Sequence, residues 1–92
     1  MFAISFDMVI SELEKQYGTP YHSAYGEIKR VLPECGFSWI QGSVYVTNND
    51  DLYTVTKAMN ALNRIVWFRK SVRDIRAFEI KNWSDFTQMF NE

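Results

Sequence analysis

Apolar and polar side chains alternate over the first ten residues of the chain. The even positions are all large and apolar, whereas Ala3, Ser5 and Asp7 make the intervening face small and polar. Successive side chains of a β-strand point to opposite faces, so residues 1–10 are predicted to form a strand with one apolar face. A charge inside a strand needs water, a partner or a metal ion. Asp7 is therefore interpreted either as a solvated residue at the strand end or as a carboxylate presented for chemistry.

Two helices are predicted after this strand. Ser11 and Glu14 have the spacing of a capping box, and the first helix is expected to end at about Tyr17, before Gly18. Thr19 is followed by a proline, which is the pattern of an N-cap and a first helical residue, so a second helix is predicted to begin there.

The second helix is predicted to be apolar on one side and to end near Gly36. Apolar residues recur at intervals of three and four positions, at Ala24, Ile28, Val31, Leu32 and Cys35. Pro33 is expected to kink or shorten the last turn. Cys35 is the only cysteine, which excludes an internal disulfide and a multi-cysteine metal site, and we expect it to be a reduced, buried thiol.

The rest of the chain is predicted to contain a hairpin, a helix, a strand and a short terminal helix. The hairpin strands are residues 37–41 and 43–47 around Gly42, the helix is 51–69, the strand is 71–81, and Ser84 caps the last helix. Within 71–81 the alternation is imperfect, because Val72 and Phe78 share a parity with Asp74, whereas Ile75 has the other. A β-bulge, or apolar surroundings on both faces, would explain this break.

This order of elements predicts an α+β fold. Two βαβ crossovers around a hairpin give a ferredoxin-like βαββαβ sandwich, with helices on one face of a four-stranded antiparallel sheet and the first strand central. Residues 1–92 are expected to form one domain. The face that carries Ala3, Ser5 and Asp7 would be open, and a second copy of the chain is its simplest cover. Two Asp7 carboxylates would then approach each other near a two-fold axis.

The composition of the chain limits the kinds of molecule that it is expected to bind. Aromatic residues make up 16% of the chain, more apolar surface than a small core hides, which also favours a homodimer. The net charge is −1, so nothing attracts the whole chain to nucleic acid or to a membrane. Residues 57–81 nevertheless hold seven basic and two acidic side chains, a local charge of +5. From its pattern of apolar residues we expect neither a signal peptide nor a membrane span, and therefore a cytoplasmic protein.

Four segments of the chain form a specific combination. They are FAISFD at residues 2–7, QGSVY at 41–45, SVRDIRAF at 71–78 and WSDFT at 83–87. Together they resemble the virulence-associated protein D (VapD) family, and the resemblance covers essentially the whole chain. It implies a bacterial endoribonuclease that is the toxin of a toxin–antitoxin pair, similar in fold to a small CRISPR-associated nuclease, a ferredoxin-like homodimer. The implied partners are RNA, a second copy of the chain and a small antitoxin protein.

The resemblance also implies a set of site residues. Asp7 matches an aspartate at the end of the first strand, Ser43 lies in the matching hairpin, and Asp74 lies in the matching fourth strand. These three are the predicted catalytic residues. Leu13 falls in the first helical segment and, being apolar, is expected to shape the site. Asp7 is interpreted as a general base or as a ligand of Mg²⁺ or another divalent cation.

For several other side chains, the sequence alone leaves two roles open. Arg73 and Arg76 either bind phosphate with Asp74 orienting them, or form a salt-bridged strand. Arg69 and Lys70 either contact RNA or belong to a solvated helix face. For Ser43, phosphate binding competes with simple turn chemistry. The rings of Tyr45 and Trp39 either stack on bases or pack within the protein.

The main rival hypothesis comes from another class of protein. It is a catalytically silent RNA-binding or assembly module of the same fold, in which the aspartates are structural. His22 is the only histidine and is expected at the surface, so one chain lacks the residues for a two-histidine ribonuclease mechanism.

Overall fold

Four strands form one antiparallel sheet in the computed structural model of the chain, which describes residues 1–90. The elements in chain order are β1 (Phe2–Met8), α1 (Ile10–Tyr17), α2 (His22–Glu34), β2 (Ser38–Gln41), β3 (Val44–Thr47), α3 (Leu52–Asn63), α4 (Val66–Ser71), β4 (Val72–Glu79) and α5 (Thr87–Phe90). The strand order is β2-β3-β1-β4, so β1 is central, and the predicted ferredoxin-like α+β fold is confirmed. Within residues 1–90 no helix is long and apolar enough to span a membrane.

The two faces of β1 differ as its alternation predicts. Ile4, Phe6 and Met8 are buried against the helices in the core, whereas Asp7 on the other face is exposed. The strand pairs with β3 on one side and with β4 on the other. Because both neighbours are fixed along most of its length, β1 positions the polar face of the sheet.

The first helical crossover consists of two helices, as predicted, with different starting points. Helix α1 begins at Ile10, and its N-cap residue Val9 makes no side-chain capping bond, so the capping box predicted at Ser11 is wrong. Helix α2 begins at His22, three residues after the predicted N-cap Thr19. Gly18 ends α1 with a φ of 115°, a conformation that glycine adopts readily. His22 is exposed and Cys35 is buried, as predicted.

The helix predicted over residues 51–69 is two helices. Helix α3 ends at Asn63, Ile65 is extended, and α4 begins at Val66 in a new direction. The break turns α4 onto α1, where Trp67 packs edge-on against Tyr17 with ring centroids 5.0 Å apart. Phe68 is buried on Phe6 in the same way. A straight helix would carry these two aromatic rings past the core, so their burial favours the break.

The C-terminal helix also begins later in the chain than predicted. Helix α5 starts at Thr87, and its first turn is stabilised by the carboxylate of Asp85, which accepts a 2.8 Å hydrogen bond from the Thr87 backbone N–H. Ser84 is therefore not the cap. Residues 91 and 92 lie outside the part of the chain that the structure describes.

Candidate active site on the open face of the sheet

A shallow pocket of about 320 Å³ opens on the polar face of the sheet, where β1 lies beside β4. It is lined by Ser5, Phe6, Asp7, Arg73, Asp74, Arg76 and Phe78. Cross-strand pairing brings them together, because Ser5 lies opposite Arg76 and Asp7 lies opposite Asp74. Directly opposed residues of an antiparallel pair share one face, so the register alone gathers these side chains.

A β-bulge shapes one end of this pocket. Asp7 pairs with Asp74, but the next residue of β1, Met8, pairs with Val72, so Arg73 is the extra residue of β4. The bulge moves Val72 to the side of the sheet that packs on the core and leaves Arg73 exposed. Bulges commonly redirect a side chain next to a functional site. Of the two explanations left open for the broken alternation, the structure shows the bulge, and its extra residue lies beside Asp7.

Asp74 and Arg76 form a bidentate pair. The Nε of Arg76 lies 2.9 Å from Oδ1 of Asp74, and its Nη2 donates to Oδ2 over 3.0 Å. This hydrogen-bonded guanidinium holds the pKa of the Asp74 carboxyl below its usual value, and the carboxylate raises the pKa of Arg76. Asp74 therefore remains ionised near neutral pH and is unsuited to donate a proton. Its geometry is that of a residue that fixes the orientation of Arg76.

Asp7 and Arg73 form a looser pair. The Nη1 of Arg73 lies 3.6 Å from Oδ2 of Asp7, and the two side chains are 63% and 65% exposed. The carboxylate thus stays accessible to a ligand, and the cation beside it is not locked by paired hydrogen bonds. The two carboxylates and two guanidinium groups of the pocket sum to zero charge, so the pocket is polar but electrically balanced.

The fit to a divalent cation is poor within one chain. Mg²⁺ is usually held by one or two carboxylates together with water and substrate phosphates. Here both carboxylates already have an arginine neighbour, which opposes a second cation at the same place. Among residues 1–90, no three histidine, cysteine, aspartate or glutamate side chains come together as metal ligands.

Ser43 and Leu13 lie outside the lining of the pocket. Ser43 is a turn residue whose backbone oxygen accepts a 3.3 Å hydrogen bond from Phe6, next to Asp7 in the chain, so the turn is adjacent to the site. Leu13 is completely buried in the core with Phe6 and Met8, on the helix side of the sheet. Leu13 can therefore influence Asp7 only by supporting β1 from behind.

Arg69 and Lys70 are exposed in the last turn of α4. Arg69 lines a different groove, which is formed with Met59, Leu62 and Ile75 on the helix side of the sheet. Neither cation belongs to the pocket around Asp7. A strand of RNA that reaches both places would have to cross the edge strand β4.

Tyr45 is a core residue, and the prediction that it contacts RNA is wrong. Its side chain is 1% exposed, and its ring stacks on Phe6 with centroids 6.3 Å apart and an interplanar angle of 16°. This burial raises the pKa of Tyr45 to about 12. Trp39 pairs with Tyr45 across the β2–β3 ladder, and its indole lies under the Lys29 ammonium of α2, 3.7 Å from the ring centroid. Neither ring reaches the pocket.

Three residues of the pocket were not predicted from the sequence. Ser5, Phe6 and Phe78 line it beside the four charged side chains. Ser5 was recognisable, since it shares the odd-numbered face of β1 with Asp7. Phe78 lies opposite Ala3 in the ladder, and only the register of β4 places it there.

Comparison with known proteins identifies close relatives over almost the whole chain. Endoribonuclease VapD of Dichelobacter nodosus is 55% identical over 87 residues, which is 95% of this chain and 94% of the relative. Endoribonuclease VapD of Helicobacter pylori is 50% identical over 91 residues, 97% of each chain. Endoribonuclease VapD of Haemophilus influenzae is 44% identical over 87 residues, 95% of this chain and 94% of the relative. No protein-family model matches the chain.

Proposed function

The chain belongs to the VapD family, and we propose that it is an endoribonuclease that cuts single-stranded RNA at the pocket around Asp7. The observation that supports this most strongly is the exposed carboxylate of Asp7 at the end of the central strand, in a pocket that also holds two arginines. A carboxylate beside guanidinium groups provides a base for an attacking oxygen and cations for a phosphate.

In the proposed reaction, Asp7 acts as the general base. Its carboxylate takes the proton of the hydroxyl or water that attacks phosphorus, and the new O–P bond forms as the bond to the leaving oxygen breaks. A water molecule returns a proton to that leaving oxygen. Arg73 and Arg76 hold the phosphate, and Asp74 keeps Arg76 in place through their two hydrogen bonds.

The active form is proposed to be a homodimer. Apolar side chains remain exposed on β4 and on the C-terminal segment, at Phe78, Phe86, Met89 and Phe90, with exposures between 44% and 79%. A single chain of this size rarely leaves so many large apolar groups in water unless a partner covers them. A second copy that covers the open face would bring two Asp7 carboxylates together, and a divalent cation between them would relieve their repulsion.

The biological role that we propose is that of a cytoplasmic toxin restrained by a small antitoxin protein. The support for this role is the resemblance of the whole chain to a toxin family. Induced expression should then arrest bacterial growth, whereas expression of Asp7→Asn should not. Growth arrest by both proteins at equal abundance would contradict a toxicity that depends on RNA cleavage.

The decisive experiment compares wild type with Asp7→Asn on a labelled single-stranded RNA, with Mg²⁺ and with EDTA. Glu34→Gln is the matched control, because it removes an exposed carboxylate at the end of α2, outside the pocket. We expect wild type and Glu34→Gln to cut, and Asp7→Asn to lose at least about 10²-fold of the rate. Sedimentation of all three proteins checks that each has the same oligomeric state.

Other outcomes are equally informative. Equal cleavage by all three proteins would show that Asp7 is not catalytic. Binding of RNA without cleavage by any of them would favour the silent RNA-binding module. Cleavage that survives EDTA would refute the proposed role of a divalent cation.

A further inference from the structure

The two arginines of the pocket are held by different partners in different ways. Arg76 is bound to Asp74 through two donors, Nε and Nη2, at 2.9 and 3.0 Å. Arg73 touches Asp7 through one nitrogen at 3.6 Å, a distance beyond a good hydrogen bond. Arg76 is therefore held in one orientation by a carboxylate, whereas Arg73 shares a loose contact with the carboxylate that we propose as the base.

We propose that Arg73 is a catalytic residue that stabilises the transition state, whereas Arg76 is an anchor that binds the phosphate equally in the ground and transition states. This inference rests on the function proposed for Asp7. It assigns separate tasks to two arginines that lie three residues apart on one strand.

The assignment follows from the charge on Asp7 during the reaction. Before the reaction Asp7 is an anion, and it neutralises part of the positive charge of Arg73. When Asp7 takes the proton of the attacking oxygen, the carboxylate becomes neutral and the phosphorus group gains the negative charge. The guanidinium of Arg73 then loses its first partner at the moment when a second one, the charged phosphorane, appears beside it. An interaction that strengthens only in the transition state raises kcat.

Arg76 undergoes no such change. Its partner Asp74 has a lowered pKa and does not act as the base, so the charge of this pair is the same throughout the reaction. The N–H groups of Arg76 that Asp74 leaves free can bind a phosphate oxygen, but with equal strength before and during the reaction. Uniform binding of this kind lowers KM and leaves kcat unchanged.

The β-bulge is what places both arginines, with their separate tasks, beside the same pocket. Without the extra residue in β4, regular alternation would turn Arg73 toward the core side of the sheet, away from Asp7. With it, Arg73 leaves the core side while Asp74 stays opposite Asp7. Both arginines thus border one pocket, although a regular strand would not place residues 73 and 76 on the same face.

The test measures binding and single-turnover cleavage of a labelled single-stranded RNA by the full chain, with Arg73→Gln, Arg73→Lys and Arg76→Gln. We expect Arg73→Gln to lower the rate at saturating protein by about 10²- to 10³-fold, whatever its effect on Kd. Arg76→Gln should weaken binding by about tenfold or more with a nearly normal saturated rate. Arg73→Lys keeps a charge but not the planar fork, and its rate should fall between those of the wild type and Arg73→Gln.

The salt dependence of Kd provides a second readout, and it needs no cleavage. Each phosphate contact to a single strand contributes about 0.7 to the slope of log Kd against log salt. Arg73→Gln and Arg76→Gln each leave an unpaired carboxylate in a pocket that was electrically balanced, so both should reduce the slope, and the saturated rate is the readout that separates them. Asp7→Asn removes the carboxylate that neutralises Arg73, so it should bind RNA more tightly than wild type and with a steeper slope.

The results separate failure of this inference from failure of the proposed function. Equal effects of Arg73→Gln and Arg76→Gln on the saturated rate would overturn the division of tasks while the enzyme remains a nuclease. A Kd of Asp7→Asn equal to that of wild type would overturn the ground-state pairing of Asp7 with Arg73. If wild type does not cut RNA at all, the proposed function fails first, and Arg73 has no transition state to stabilise.

Discussion

The burial of Tyr45 should make the protein less stable at alkaline pH. Burial against Phe6 raises the pKa of Tyr45 to about 12 in the folded chain, whereas an unfolded tyrosine ionises near 10. Between these two values the unfolded chain releases a proton that the folded chain retains, so rising pH favours unfolding. Below about pH 10 both states are neutral at this residue, and Tyr45 contributes no pH dependence.

The size of the effect follows from the shift of about two pKa units. At about 1.36 kcal/mol per unit, the free energy of unfolding should fall by about 2 kcal/mol between pH 10 and pH 12 because of Tyr45 alone, with the rest of the loss below and above this range. Urea denaturation at a series of alkaline pH values measures this loss. Tyr45→Phe keeps the buried ring and removes the ionisable hydroxyl, so the loss over this range should be about 2 kcal/mol smaller in the variant.

Tyr53 supplies the matched control, since its side chain is three-quarters exposed on α3. Tyr53→Phe removes a hydroxyl without touching the core, and its curve of stability against pH should follow the wild type. Parallel curves for wild type and Tyr45→Phe between pH 10 and 12 would refute the reasoning. They would show that the Tyr45 hydroxyl meets water in the folded protein, and its ring would again be a candidate for RNA contact.

Two further predictions concern residues that the sequence associated with the site. Leu13→Ala should lower the free energy of unfolding, measured by urea denaturation, by about 2–5 kcal/mol, because Leu13 is completely buried. The cleavage rate of the folded fraction should stay within about threefold of the wild-type rate. A large loss of rate without a loss of stability would show that Leu13 acts directly in the reaction. Asp74→Asn should leave the saturated cleavage rate close to that of wild type, because Asp74 only orients Arg76, and thermal unfolding should hardly change at this exposed position. A saturated cleavage rate that falls as far as that of Asp7→Asn would instead make Asp74 catalytic.

The sequence predicted the strands and faces well, because alternation reports burial directly. The apolar even-numbered side chains of β1 had to face the core. Alternation therefore placed Asp7 on the open face, together with the other odd-numbered side chains of the strand. The ends of the helices were harder to predict. Ser11 had the residue type and spacing of a cap, but Val9 holds that place because its backbone N–H donates to the Ser71 carbonyl at 2.8 Å, a tertiary contact that no local pattern reveals.

The break between α3 and α4 escaped prediction for a related reason. Periodicity continues through residues 63–66, and only the position of α1 decides that the chain must turn there to bury Phe68. Tyr45 was misassigned because an aromatic residue in a short strand has no local signal for the face it occupies. Its place in the ladder opposite Ile4, on the core face, decided the question. In this chain, strand register decides which residues share a pocket more than composition does.

The break in the alternation of β4 carries information of a different kind. A bulge leaves a residue out of regular pairing, so it is retained in a small fold only where the change of direction is useful. In this chain it satisfies two demands that a regular strand could not meet together, since Val72 packs on the core and Arg73 meets Asp7 on the opposite side of the sheet. The residue that spoils the pattern is thus the one that lies beside the proposed base. In a chain without clustered histidines or cysteines, such an irregularity locates the site more directly than the abundance of any residue type.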